Sequence, residues 1–140
     1  MRMWRIALLA ALVLVLGASM TSSAQAVTTQ KKVLVQLREQ GGFAGLDDRV
    51  TVYTDGCVRL SRRTGPAVAR CLTGGEMRGL RADLRHLRVG RSEARPPGAD
   101  FIKYTLAYRG HRADRYTLPG TWTAVVRRLE RILQKYWTPS

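Results

Sequence analysis

Residues 33–60 read VLVQLREQGGFAGLDDRVTVYTDGCVRL, and this stretch decides the fold that we predict. Apolar and polar side chains alternate in residues 33–38 and again in residues 50–53, as they do in strands with one buried face. Asp55-Gly56 follows the second run and is a strong hairpin signal, because a type I′ turn needs positive φ at both central residues. The stretch therefore predicts three antiparallel strands, the third of which begins at Cys57.

Downstream of this stretch, the apolar pattern changes to the spacing of helices. Thr73 and Glu76 are placed as a capping box, in which each side chain bonds the free backbone N–H group of the other residue. The helix that they open can end at Gly90. Its apolar stripe consists of Met77, Leu80, Leu84 and Leu87. Thr121 can cap a last helix. The apolar face of that helix consists of Trp122, Val125, Val126, Leu129, Ile132, Leu133 and Tyr136.

Two more strands are predicted between these helices. Residues 101–108 alternate, residues 109–112 make the turn, and the return strand reaches Leu118. Residues 62–70 and 89–99 are predicted to be loops, because neither holds a regular pattern. The order β-β-β-α-β-β-α with short hairpin links predicts an α+β fold, in which two helices pack on an antiparallel sheet of about four to five strands.

The first 26 residues have the three parts of a cleavable secretory signal peptide. Two arginines precede an uninterrupted apolar run at residues 6–16, and Ala24-Gln25-Ala26 fits an A-x-A cleavage site. The apolar run is shorter than the roughly 20 residues that a membrane-spanning helix needs, so we expect no stable membrane insertion. We therefore predict a secreted, extracellular protein that is cleaved after Ala26.

The remaining residues, 27–140, are predicted to form one small domain that begins with a flexible arm at residues 27–32. The full chain has 24 lysines and arginines against 10 acidic residues, a formal net charge of +14. A surface this basic attracts anionic partners, such as an acidic protein, nucleic acid, phospholipid head groups or wall polymers. Arginine that merely fills solvent-facing positions is the alternative explanation.

The cysteines and the polar residues give little support to catalysis. Cys57 and Cys71 are an even count in an exported chain, which favours a disulfide over a metal pair or a reactive thiol. His86 and His111 lack metal-ligand spacing and are predicted to be solvated. Asp47-Asp48 is typical of a capped or turned loop, and we find no nucleophile–base pair or phosphate-binding motif. We therefore predict a protein that is not an enzyme and uses no cofactor or metal.

Two features are candidates for binding. The first is a glycine-rich loop that consists of Gly41, Gly42, Phe43, Ala44 and Gly45. The residues alone favour Phe43 in the core, although a glycine-flanked aromatic after a rigid strand is also a candidate binding probe. The second feature is an arginine stripe at helical spacing, which is either a solvated helix face or an anion-binding face. It consists of Arg78, Arg81, Arg85 and Arg88.

The glycine-rich loop stands in an ordered series of features. It follows the first strand directly, and after it come the Thr-capped helix, a strand with Asp100, Tyr104 and Leu106, and a terminal helix after a Leu-Pro pair. This series, over roughly residues 33–136, resembles the emfourin family, small bacterial inhibitors of thermolysin-like metallopeptidases that were first associated with protealysin. The resemblance implies an antiparallel sheet with helices, no cofactor, and a secreted zinc peptidase as partner.

The resemblance also implies a mode of binding. Thermolysin-like enzymes select bulky apolar side chains just after the scissile bond, and Phe43 on its glycine loop would fill that pocket. A backbone carbonyl or Asp47-Asp48 approaching the zinc is a weaker alternative. We therefore expect a secreted inhibitor of thermolysin-like zinc metallopeptidases that binds through residues 41–45.

The export signal, the disulfide and the basic surface depart from the pattern of that family. They favour an alternative of another class, a cationic exported cell-surface protein that binds anionic polymer or nucleic acid through the helix arginines. Ionic strength separates the two hypotheses, because polyanion binding falls steeply with salt through counterion release. Inhibition anchored by an apolar side chain depends much less on salt.

Overall fold

The computed structural model describes residues 30–98 and 100–138. The predicted signal peptide at residues 1–26 and the first part of the predicted arm lie outside the described residues. The elements in chain order are β1 (Val33–Gly41), β2 (Leu46–Tyr53), β3 (Cys57–Arg62), β4 (Val68–Cys71), α1 (Gly74–His86), β5 (Ile102–Tyr108), β6 (His111–Arg115) and α2 (Gly120–Tyr136).

The strands form one antiparallel sheet in the order β4-β3-β2-β1-β5-β6. The first strand, β1, is therefore central, with β2 on one side and β5 on the other. This arrangement confirms the predicted α+β class, with one strand more than the order that we expected. Because β1 is paired along both edges, its two ends are held firmly relative to each other.

Both helices cover the same face of the sheet and close one hydrophobic core. Alternate residues of the strands point into it, as the period-two pattern predicted, and Trp122 of α2 is fully buried there. The inward residues of the sheet include Val35, Leu37, Val50, Val52, Val58, Leu60 and Leu106. The other face of the sheet is polar, and Gln36 donates there to the Thr51 hydroxyl at 3.2 Å.

Strand β4 corrects the prediction that residues 62–70 are a loop. Its residues Val68–Cys71 pair with β3, and Cys57 stands directly opposite Cys71, so that the predicted disulfide joins the two strands. Val68 also packs inward, with only 8% of its surface exposed. A four-residue edge strand carries too little alternation to be read from the sequence, because its pairing depends on β3 and on the cross-link.

The capping box at the start of α1 is confirmed. The Thr73 amide donates to Glu76 at 2.9 Å, and the Glu76 amide donates to the Thr73 hydroxyl at 3.2 Å. The same carboxylate accepts from Lys135 at 2.6 Å and from the Tyr136 hydroxyl at 2.7 Å, which ties the start of α1 to the end of α2. Although burial opposes the charge, these hydrogen bonds lower the pKa of Glu76 to about 2.

The ends of both helices differ from the prediction. Helix α1 ends at His86, with Leu87 as its C-cap, rather than continuing to Gly90. Arg88 lies beyond the end of the helix, and its carbonyl accepts a hydrogen bond from the Trp122 indole at 3.0 Å. Helix α2 is preceded by Pro119 and not capped by Thr121, whose hydroxyl lies 3.4 Å from the same carbonyl. Tertiary contacts between the helices therefore set these boundaries.

The β5–β6 hairpin is also tighter and shorter than predicted. Its turn is Arg109-Gly110 alone, with φ of 50° and 76°, and not residues 109–112. Strand β6 ends at Arg115 and does not reach Leu118. The chain leaves the sheet there because the carboxylate of Glu93 accepts the next amide, that of Tyr116, at 3.0 Å.

Candidate functional site

The glycine-rich loop forms the tip of the β1–β2 hairpin. We define the hairpin tip as residues 42–45, in which the Gly45 amide donates to the Gly42 carbonyl at 3.1 Å. Gly41, Gly42 and Gly45 have φ of 99°, 71° and 60°, which side chains disfavour. A Cβ at Gly41 would lie 2.7 Å from the Phe101 carbonyl oxygen, which also accepts from the Gly42 amide. Glycine therefore lets the hairpin approach the start of β5.

Phe43 stands at this tip with 98% of its surface exposed. The core position that the residues alone favoured is therefore wrong. The reason is the strand register: Gly41 pairs with Leu46, so the four residues between them project beyond the end of the sheet. Burying a phenylalanine side chain stabilises a folded protein by about 1.5–3 kcal/mol. Phe43 makes no such contribution to this fold, because it is exposed.

A second aromatic residue is partly exposed near the tip. Phe101 is 40% exposed and contacts Tyr116 edge to face, with ring centroids 6.5 Å apart. These two rings border a small cavity of about 220 Å³ beside Gly41, which Arg95 and Lys103 also line. The surface at this end of β1 is thus apolar at its tip and basic at its side.

Ion pairs hold the base of the hairpin. Arg38 donates to both oxygens of Asp47, at 3.0 and 3.3 Å, and Arg62 lies 3.4 Å from Asp48. The hydrogen bond from Arg38 lowers the pKa of Asp47. Asp47-Asp48 was predicted to lie in a loop, but both residues belong to β2. The Arg38–Asp47 pair joins β1 to β2, whereas the Arg62–Asp48 pair joins β3 to β2. Because both carboxylates are already paired, they are poorly placed to become ligands of a partner's zinc.

A buried carboxyl group lies below the hairpin. Glu39 of β1 is 6% exposed on the face that the helices cover, beside Glu130 of α2. Burial raises the pKa of Glu39 to about 8, and the neighbouring Glu130 and Asp48 act in the same direction. One of its carboxyl oxygens, Oε1, is buried without a hydrogen-bond partner among the described residues, so the fold favours the protonated form of Glu39. Sequence reasoning missed this group, although the alternation of Val35 and Leu37 already placed position 39 inward.

The arginine stripe lies only partly on α1. Arg78, Arg81 and Arg85 are exposed on α1, whereas Arg88 lies beyond the end of the helix. The structure instead brings two of them, Arg81 and Arg85, together with cations from other parts of the chain. His86 and His111 are exposed, as predicted.

These cations surround a cavity of about 620 Å³, which we call the basic groove. It lies between the start of β1, the second half of α1 and the β5–β6 turn. Its exposed lining includes Lys32, Arg81, Arg85 and Arg109, and its more deeply buried lining is apolar: Leu34, Leu84 and Tyr108. Sequence reasoning could not find this set, because its members come from separate elements.

Two of these arginines are held in place. Arg81 donates to the Thr54 carbonyl at 3.2 Å, and the guanidinium of Arg109 lies 5.1 Å from the centroid of the Tyr108 ring. A neighbouring cavity of about 420 Å³ shares Arg85 and Arg109 and extends the basic groove to Arg88 and His111. The arrangement can bind a negative charge above an apolar surface.

Residues 30–98 and 100–138 contain no cluster of metal-ligating side chains and no membrane-spanning helix. No group of three or more histidine, cysteine, aspartate or glutamate side chains there could hold a metal ion. Neither of the helices described is long and apolar enough to cross a membrane.

Comparison with known proteins assigns no family to this chain. The resemblance to the emfourin family therefore rests on the residues quoted above, and the two candidate sites rest on their geometry. No protein-family model, no curated protein and no solved structure matches this chain.

Proposed function

We propose that this protein is a secreted inhibitor of thermolysin-like zinc metallopeptidases, and that the hairpin tip enters the active-site cleft of the enzyme. The observation that carries the proposal is Phe43, a large apolar side chain with 98% of its surface exposed at the end of a glycine-rich turn. Buried aromatic anchors contribute most of the binding energy in many interfaces. An enzyme that selects bulky apolar side chains offers the matching pocket.

The hairpin tip is suited to such a role because its supports are rigid. β1 is paired on both edges, and the Arg38–Asp47 ion pair joins the two strands just before the tip. The amide of Arg63 also donates to the Asp47 carbonyl at 2.7 Å. The backbone at the base of the tip is therefore already ordered before binding, and this preorganisation lowers the entropy cost of association.

Inhibition in this scheme is reversible and needs no chemical step. Phe43 fills the specificity pocket, while the exposed residues Ala44 and Gly45 offer backbone groups to the edge of the cleft, apart from the Gly45 amide, which bonds Gly42 within the turn. Substrate is excluded because the tip occupies its site. The described residues contribute no ligand to the zinc in this scheme, since Asp47 and Asp48 remain in their ion pairs.

A titration tests the proposal directly. The secreted form of the protein is added to a thermolysin-type peptidase, with a serine peptidase as control. We expect a dose-dependent loss of activity of the zinc enzyme alone. An unchanged activity across a panel of thermolysin-like peptidases would refute the proposed function.

A second candidate is an exported cationic protein that binds anionic polymer or nucleic acid. The observation that favours it is the set of exposed arginines on α1, since none of them takes part in the ion pairs of the described residues. Binding to a polyanion would weaken steeply between low and moderate salt. A titration with heparin or single-stranded DNA at two salt concentrations tests this candidate, and binding without salt dependence would contradict it.

A further inference from the structure

The basic groove has no role in the proposed inhibition, because it lies at the other end of β1 from the hairpin tip. Its volume of about 620 Å³ is within the range of about 300–1,000 Å³ that is typical of small-molecule sites. It also combines an apolar surface with a few convergent polar groups, as such sites do. These features are typical of a binding site for a small molecule.

The charge of the basic groove is not neutralised from within the fold. The cations that form ion pairs among the described residues are others: Lys31, Arg38, Arg62, Arg128 and Lys135. Four positive groups therefore converge on one cavity without a carboxylate partner in its lining. Like charges that are brought together repel one another, and an anion in the cavity would relieve that repulsion.

Arg109 adds a conformational argument. It occupies the first central position of the β5–β6 turn with φ of 50°, where asparagine, aspartate or glycine is preferred. An arginine there is therefore in a strained backbone conformation. Its guanidinium lies against the Tyr108 ring, so that the strained position directs a positive charge to the opening of the basic groove.

The apolar part of the lining sets the second requirement. Leu84 is almost completely buried, and Leu34 and Tyr108 pack against the same core with part of their surface facing the cavity. A free inorganic anion would leave this surface in contact with water. A ligand that carries an apolar body behind its charge would cover it.

We propose that the basic groove binds an anionic amphiphile, a molecule with one carboxylate or phosphate head group on an apolar tail. The head group lies among Arg81, Arg85 and Arg109, and the tail lies over Leu34 and Tyr108. This site is independent of the hairpin tip and does not rest on the proposed inhibition.

Calorimetric titration of the full secreted protein with dodecanoate and with dodecyl phosphate, both below their aggregation concentrations, tests the proposal. We expect saturable binding of at least one of them, and the tighter of the two identifies the head group. Acetate has the charge without the tail, and dodecyltrimethylammonium has the tail with the opposite charge. We expect neither to bind measurably, and equal binding of either one would overturn the proposal.

Matched arginine variants separate a specific site from general attraction. Arg78 and Arg85 are both exposed on α1, but only Arg85 lines the basic groove. We expect Arg85→Ala to weaken amphiphile binding by about fivefold or more, and Arg78→Ala to change it by less than about twofold. An equal loss in both variants, or no binding by the unmodified protein, would overturn the proposal. Since both side chains are exposed, both variants should keep the melting temperature of the parent.

Discussion

The two ends of β1 carry different kinds of surface. At the C-terminal end the chain turns through the hairpin tip and exposes Phe43, whereas at the N-terminal end Arg81, Arg85 and Arg109 surround the basic groove. The nine residues of β1 separate these sites by about 26 Å. The central strand therefore holds an apolar probe and a cationic cavity in fixed positions, too far apart for one ligand to affect the other directly.

The supports of the two ends differ as well. The hairpin rests on an acidic cluster in which Glu39 and Asp48 are buried and Glu130 is half-buried. The basic groove rests on α1, whose N-cap Thr73 follows the disulfide-bonded Cys71. We infer that the tip end responds to pH and that the groove end responds to reduction of the disulfide.

The largest expected effect is at the groove end. Replacing both Cys57 and Cys71 by serine should lower the free energy of unfolding by about 3 kcal/mol, because the cross-link no longer restricts the unfolded chain. Chemical denaturation measures this change. Hydrogen exchange should also become faster in α1 than in the strands next to the hairpin tip. The same loss of stability in the reduced parent protein is the control, and an unchanged midpoint would contradict the prediction.

The substitution Phe43→Ala should affect only the hairpin-tip end of β1. We expect the inhibition constant for a thermolysin-like peptidase to rise by about 30-fold or more, as for a binding hot spot. The melting temperature should stay the same, since the side chain is exposed. Val33→Ala is the matched control, because Val33 is an exposed apolar residue, 48% accessible, at the opposite end of β1. Equal inhibition by the parent and by Phe43→Ala would show that the Phe43 side chain is not part of the interface with the peptidase.

Glu39→Gln tests the acidic support of the tip. The folded protein raises the pKa of Glu39 from 4.5 to about 8, so it binds this proton more tightly than the unfolded chain does. The stability of the parent should therefore fall as pH rises through that window, whereas the glutamine, which mimics the protonated acid, lacks this loss. We expect the variant to be more stable by about 1–3 kcal/mol at pH 9 and nearly equal to the parent at pH 4.

Glu93→Gln is a control variant, for which we expect the opposite dependence of stability on pH. Backbone hydrogen bonds from Tyr116 and Thr117 lower the pKa of Glu93, so its charged form favours the folded state. This variant should be less stable than the parent at neutral pH and should approach it as the medium becomes acidic. Denaturation at several pH values measures both variants, and parallel curves for Glu39→Gln and the parent would contradict the assigned proton.

The smallest expected effect concerns the backbone of the tip. Gly45→Ala should cost about 1 kcal/mol, because φ is 60° there while no atom lies within 4 Å of the added Cβ. Gly45→Asn should cost less, since asparagine tolerates this conformation. Thermal unfolding measures both variants. Equal costs for the two would show that strain at this position does not govern the tip.

Local patterns predicted well where neighbours in sequence are also neighbours in space. Alternation along β1 and β2 and the Thr73–Glu76 capping box depend on side chains a few residues apart, and the structure contains both. The β2–β3 turn lies where it was predicted, but it is a three-residue connection over residues 54–56 in which only Gly56 has positive φ, and not a type I′ turn. The pairing of Cys57 with Cys71 followed from their number and is also present. The sequence was less informative where the end of an element depends on a distant partner. The region after α1 is an example, because the Arg88 carbonyl accepts there from the Trp122 indole.

By itself, the amino-acid sequence determined the α+β class, the inward faces of strands and helices, the disulfide and the position of the glycine-rich turn, because these depend on short-range periodicity and composition. Only the tertiary structure decided that Phe43 is exposed and that Glu39 is buried beside Glu130. It also decided that Arg109, rather than Arg78, joins Arg81 and Arg85 around one cavity. The physical reason is that strand register and helix packing bring residues together from separate segments, and periodicity within one segment carries no information about such contacts.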